Sequence, residues 1–381
     1  MLKFQMVLVL ATVGASGTCG SLSSQPDEST PASSDSEPGA LWEDVTPAGI
    51  SLDPANPTVN GKGNGGITCV EVSAQDPATI YVATTFQGIW RSVDRAATWE
   101  KVNTGRNGEF IDSGIVNAFV LDPVDPNVLY ANTLYGRALG VWKSTDGGVD
   151  WDQLFHDGDD VTSAATKDIF TIDMDPADHL HLIAASHGGW ASAGGGSGVI
   201  ETRDGGATWT VHPPAGNMGS EASAFFLGDG ASWLFMGNSP SVGTWRSDDS
   251  GASFERISGG YRYTGTQIYR SANGAIYVTQ AAGVLRTTDN GVTWTLVAAA
   301  NGLAGVVGDG DHIWATISKG SGASGPFNPT MRAPESRGDT GWASYGDQQL
   351  ADGGSQLAMD RQGGILYAAA GNHGLLRMST R

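Results

Sequence analysis

From residue 41 onward, short runs of alternating apolar side chains recur along the chain: TIYVAT, NVLYAN, LHLIAA, WLFMGN and AIYVTQ. Alternation over five or six residues, bounded by Gly, Asp, Asn and Ser, predicts strands, because neighbouring residues of a strand face opposite sides. After each run comes a second short strand pattern and a polar turn. These segments are RSVDRAATWEKV around Asp94, KSTDGGVDWDQL around Asp146, ETRDGGATWTVH around Asp204, RSDDSGASFERI around Asp249 and RTTDNGVTWTLV around Asp289. Successive Asp residues lie 40 to 58 positions apart. A period of this length marks a repeat architecture in which each unit is one small sheet.

The rest of the chain completes the count. Residues 308–346 carry the strand HIWATIS and a degraded turn at Asp339-Thr340-Gly341-Trp342. Residues 360–381 supply ILYAAAG and GLLRMST, and then the chain stops one strand short. The missing strand is at the other end, where Leu41-Trp42-Glu43-Asp44-Val45 matches Trp99-Glu100-Lys101-Val102. The expectation is an all-β fold, a seven-bladed β-propeller over residues 41–381, closed by an N-terminal outer strand. Closure removes exposed sheet edges.

The repeated turn reads S/T-x-D-x-G-x-T/S-W/F. Its carboxylate can accept backbone N–H bonds across the turn, its Gly permits a backbone that a Cβ would hinder, and its aromatic ring packs between sheets. Asp94, Asp146, Asp204, Asp249 and Asp289 are therefore expected to be scaffold. Ala96 replaces the Gly in the first copy, and Phe254 replaces Trp in the fourth. The pattern resembles the Asp-box (BNR) repeat of the propeller superfamily that includes sialidases, xyloglucanases, the sortilin ectodomain and photosystem II assembly factors. That resemblance spans residues 41–381. It implies the fold and leaves the activity open.

Composition agrees with many short strands. Of 381 residues 55 are Gly, about twice the usual share, and 12 are Trp. The formal net charge of -19 repels phosphate backbones and argues against nucleic acid as a partner. Residues 1–18 read as a signal peptide, with Lys3 ahead of an apolar run too short to span a bilayer. Cys19 follows Ser16-Gly17-Thr18, which loosely resembles a lipobox, so both lipidation at Cys19 and plain signal cleavage stay open. Residues 19–40 are Ser, Pro and acid, as in a disordered tether. A secreted or cell-envelope protein is expected, including an outer-membrane lipoprotein, with membrane contact only through a lipid anchor. Cys69 lies in the apolar stretch GITCVEV and is expected as a buried free thiol.

With the Asp-containing turns on one face of the ring, the opposite face carries the blade connectors and the loops between second and third strands. Function is expected there. The acids placed ahead of inner strands are Asp112, Asp168 and Glu221, candidates for a two-carboxylate mechanism. Candidate ligand-binding residues are Lys62, Asn64 and Phe86 from the first unit, and Arg106, Tyr135 and Arg137 near the second. His187 and Trp190 follow, then Tyr261, Arg262 and Tyr263, then Lys319 and His373. Aromatic rings beside amides and acids suit sugar recognition. No metal centre is expected, although Asp157, Asp159 and Asp160 offer oxygen ligands for calcium without EF-hand spacing. His179 and His181 share one strand face by the i, i+2 rule and are expected at the surface.

The favoured expectation is a monomeric binding module for a glycan or protein ligand. The alternatives are a glycoside hydrolase, xyloglucanase-like or sialidase-like, and an assembly factor. Xyloglucanases carry a catalytic Asp in a segment similar to Tyr81-Val82-Ala83-Thr84-Thr85-Phe86, and Thr85 stands in its place. The Arg-Ile-Pro segment of sialidases does not occur.

Overall fold

Each repeat becomes a four-stranded antiparallel sheet whose strands follow chain order from the centre outward, because the connections are short. In a computed structural model the described residues are 41–154, 168–186, 197–299, 303–317, 330–345 and 356–381, apart from 217, 220, 262–265 and 339. Residues 1–40, with the expected leader, Cys19 and the expected tether, lie outside them, as do Asp157, Asp159, Asp160, His187, Trp190, Arg262, Tyr263 and Lys319. Blade 1 consists of Ile67–Val72, Ile80–Thr84, Ile89–Ser92 and Glu100–Lys101. Blades 2, 3, 4, 5 and 6 begin with the inner strands Phe119–Leu121, Ile169–Asp175, Ser223–Phe226, Ile268–Arg270 and Leu303–Gly308. Blade 7 takes Gln356–Asp360, Ile365–Ala369 and Leu375–Ser379 from the C-terminus and Glu43–Asp44 from the N-terminus. All seven sheets are four-stranded, so the architecture is a seven-bladed β-propeller.

The ring closes at two levels. Glu43 and Asp44 pair with Arg377 and Leu376 in the outer strand, as the match between Trp42 and Trp99 required. Nearer the axis, the Ile67 and Gly371 backbones exchange hydrogen bonds of 3.0 and 3.1 Å. Gly66 sits beside them at φ 70, and a Cβ there would strike the Gly371 carbonyl. Trp99 adds a third tie, since its indole N–H donates to the Val45 carbonyl at 2.9 Å.

The five Asp turns share one geometry. A Ser or Thr two residues ahead donates to each carboxylate at 2.7 to 2.8 Å. In four of them the residue four positions on donates both its N–H and its hydroxyl. In the second turn that position is Asp150, which offers only its backbone N–H. The hydroxyl and backbone donors hold Asp94, Asp204 and Asp289 down at about 2. Gly148, Gly206, Gly251 and Gly291 occupy the left-handed region, and Ala96 takes the same conformation at φ 67, where a Cβ is disfavoured. The core lies between blades, with Trp142, Trp151, Trp233 and Trp314 fully buried. Cys69 is a buried free thiol, pushed up by burial.

In the sixth blade Asp339 of the degraded turn lies outside the described residues; Glu335, one residue past Thr330–Pro334, turns towards blade 5. It accepts from the Tyr269 hydroxyl at 2.9 Å, the Gly310 N–H at 3.0 Å, and Ser271.

Candidate functional site

The connector face is assembled from loops that the sheets hold in place. Lys62 is presented by a two-residue hairpin in which Val59 and Lys62 pair around Asn60 and Gly61, both in the left-handed region. Asn-Gly is the sequence signature of this turn. The hairpin reaches blade 2. Asn60 Nδ2 donates to the Tyr135 carbonyl at 2.8 Å, and Lys62 Nζ lies 4.4 Å from the Tyr135 ring centroid. Tyr135 itself sits at φ 55 in the loop between Leu129–Thr133 and Gly140–Ser144.

Asp168 and Glu221 precede the inner strands of blades 3 and 4, as expected. Burial, and then the charges of Asp168 and Glu221, push the Tyr135 hydroxyl above its ordinary value. Lys62, ahead of blade 1, thus stacks on Tyr135 in the loop between the second and third strands of blade 2, and the charges of Asp168 and Glu221, ahead of blades 3 and 4, act on the same ring. Arg137 is exposed on the Tyr135 loop, and its N–H donates to Ser113 Oγ at 3.2 Å. Tyr261 is half-buried in the connector after blade 4, and His373 is exposed on the matching loop of blade 7.

Four sequence expectations are corrected by position. Asp112 does not open an inner strand. It ends the short helix Gly108–Asp112, where it pairs with Lys101 Nζ at 2.7 Å and accepts from Asn103 Nδ2 at 2.7 Å. Arg106 follows the outer edge of blade 2, because its carbonyl accepts the Trp151 N–H, and its guanidinium pairs with Asp152 at 2.5 Å. Asn64 is buried, and its amide ties together the carbonyls of Ser51, Asp53 and Asn56. Phe86 is buried, so its ring serves packing. Arg332 stacks on Tyr345 in blade 6, 4.2 Å from the ring centroid.

Towards the face of the Asp turns lies a buried polar network. His181 Nδ1 is 2.9 Å from Asp175 Oδ2, and His181 Nε2 is 2.8 Å from Glu201 Oε1. His212 Nε2 and Arg203 Nη2 reach the same carboxylate at 2.8 and 2.7 Å. Burial alone would raise Glu201, but the bonds from His181 and His212 outweigh it, and with Arg203 they hold it down at about 2. An ionised Glu201 only accepts, so both histidines donate to it. The surface reading of these histidines is corrected for His181, which is 1% exposed and packs against Phe226. His179 instead pairs with Asp122 of blade 2.

A third cluster, missed in the sequence, lines the central channel. A cavity of about 320 Å³ runs between inner strands, with Glu71, Asn117, Asp173, Arg270 and Gln356 on its wall. Asp173 Oδ2 meets Arg270 Nη2 at 2.5 Å and accepts the Phe226 N–H at 2.8 Å. Among the described residues, Glu71 receives only Gln356 Nε2, at 3.3 Å. Its pKa is pushed up to about 8 by burial and then by Asp173. The available signal was an acid breaking an apolar inner strand, Glu71 in ITCVEV and Asp173 in IFTIDMD.

No family model matches the chain. A xyloglucanase of Hypocrea jecorina is 25% identical over 279 residues, which cover 61% of this chain and 32% of that protein. The chain therefore spans about a third of that relative's length. Among solved structures, an ancestral GH74 enzyme superposes with a TM-score of 0.51 at 21% identity, over 70% of this chain and 36% of the other. A YCF48 protein bound to a D1 peptide superposes with a TM-score of 0.58 at 13% identity, over 93% of this chain and 100% of the other. At these identities both show the propeller fold alone. Thr85, expected from the sequence to stand in place of a xyloglucanase acid, is buried and donates its N–H to the Gly66 carbonyl at 2.9 Å.

Proposed function

We propose that the propeller binds a glycan chain on its connector face, outside the cytoplasm, with Tyr135 as the stacking ring. The carrying observation is the Lys62–Tyr135 contact of 4.4 Å between blades 1 and 2, on a ring that also senses the charges of Asp168 and Glu221 from blades 3 and 4. A ring offers an apolar face to sugar C–H groups, while the acids and the ammonium bond to hydroxyls. The similarity to a xyloglucanase supports a polysaccharide ligand, and the leader-like residues 1–18 support export. Xyloglucan oligosaccharides are the first probe. Calorimetry is expected to give saturable binding, weakened at least about tenfold by Tyr135→Ala. Unchanged affinity in that variant overturns the site.

Hydrolysis is the second reading, favoured because two carboxylates act on one tyrosine. Inverting and retaining glycosidases both need such a pair. Release of reducing ends, lost in Asp168→Asn and in Glu221→Gln while binding persists, supports it. Binding without release in the wild-type protein leaves the lectin-like reading alone.

A further inference from the structure

The central channel presents polar groups that the fold does not use. Asp173 and Arg270 neutralise each other, and Arg270 also donates to the Phe226 carbonyl at 2.7 Å, locking blade 5 to blade 4. Gln267 is likewise spent, since its Oε1 accepts from Leu357 N–H at 2.9 Å and its Nε2 donates to the Leu357 carbonyl at 2.9 Å. Three groups are left over. Among the described residues, Glu71 Oε2, Asn117 Nδ2 and Arg270 Nη1 make no protein hydrogen bond, and all three residues line the cavity.

We propose that this cavity is a second binding site, for a single neutral polyol of about the size of one sugar ring, held by Glu71, Asn117 and Arg270. The volume of about 320 Å³ is near the lower end of small-molecule sites. A charged ligand is disfavoured, because the one ion pair in the wall is already complete and an added charge would lack a partner. A purely apolar ligand would leave the three groups dry and unpaired, at a cost for each. Hydroxyl groups satisfy both conditions, and Phe225 and Ile172 supply apolar wall for the C–H faces.

The state of Glu71 makes the site sensitive to pH. The charged and titratable groups around it are Asp173 and Arg270 across the cavity, Cys69 on its own strand and Asp175 further along the wall. Below about pH 8 the carboxyl is neutral and both donates and accepts; above it the donor is lost. This site stands apart from the connector-face reading, since Tyr135 takes no part in it.

The test is calorimetric titration of the full chain with D-glucose and D-xylose from pH 6 to pH 9.5. Saturable binding at pH 6 is expected, weakening several-fold as pH passes through about 8. Glu71→Gln keeps a donor and an acceptor, so it is expected to bind at pH 6 and to show a flat pH profile. Glu71→Leu is expected to lose at least about tenfold in affinity, with the β circular-dichroism spectrum as the control for folding. Tyr135→Ala is expected to remove any monosaccharide binding at the connector face and to leave the component that weakens through about pH 8, which separates the two sites. No saturable binding of either sugar at pH 6 overturns the proposal. So does a pH profile that is the same in Glu71→Gln as in the wild type.

Discussion

Glu201 and Glu71 both leave bulk water when the ring forms, yet folding moves them in opposite directions. Glu201 is held at about 2, and Glu71 is raised to about 8. The difference is the company each keeps. Glu201 has donors from His181, His212 and Arg203, all within 2.8 Å. Glu71 has one amide at 3.3 Å and a like charge, Asp173, across the channel. A carboxylate surrounded by donors is part of the frame, where desolvation is offset by charge-assisted bonds. A partly buried carboxyl with no cation bonded to it among the described residues marks a place where a ligand can complete the set.

The strongest way to break this comparison is to remove the donors of Glu201. His181→Ala leaves Asp175 and Glu201 buried without their shared partner, and should cost about 3 kcal/mol or more in urea unfolding. A loss below about 1 kcal/mol would mean that the network does not carry the blade.

The converse substitution should stabilise. A carboxyl raised on folding contributes stability in full below its unfolded value, near 4.5, and that contribution is lost as pH rises through about 8. Glu71→Gln removes the titrating proton. It should therefore unfold later than the wild type at pH 9, by roughly 1–3 kcal/mol, and match it at pH 4. Thermal melts at the two pH values check this, and equal shifts at both would show that Glu71 is not the titrating group.

Lowered acids run the other way. Glu201 and the turn residue Asp204 support stability above about pH 4, and lose it as pH falls towards about 2. Asp204→Ala should cost about 1 kcal/mol at pH 7, a modest figure because the turn is solvated, and nothing near pH 2. The smallest effect is expected at Arg106. Its partners Asp150 and Asp152 are surface groups, so Arg106→Ala should leave both the melting temperature and xyloglucan binding unchanged within error.

Much of the fold was legible in the sequence. Period-2 runs named the strands, and the spaced Asp and Trp residues named the blades. The match of Leu41–Val45 to Trp99–Val102 named the closing strand, which pairs at Glu43 and Asp44. These are local signals, repeated often enough to fix a register. The site was legible only as a long set of candidates. Lys62 met Tyr135, whose hydroxyl senses the charges of Asp168 and Glu221, whereas Asp112 went to Lys101, Arg106 to Asp152, Asn64 to a knot of carbonyls and Phe86 into the core. No local pattern separates the two groups, because each partner comes from another loop or another blade. Glu335 shows the same limit within the scaffold, since its partners Tyr269 and Ser271 belong to blade 5.

By itself, then, the sequence determined the repeat, the number of blades, the strand that closes them and the scaffold role written into five turns. All of these depend on residues close together or identical from unit to unit. Only the tertiary structure decided which polar side chains remain free to act. A carboxyl's protonation depends on burial and on charges within a few ångströms. In a ring, those neighbours are contributed by blades far apart in the chain, as Glu71, Asp173, Arg270 and Gln356 are around one channel.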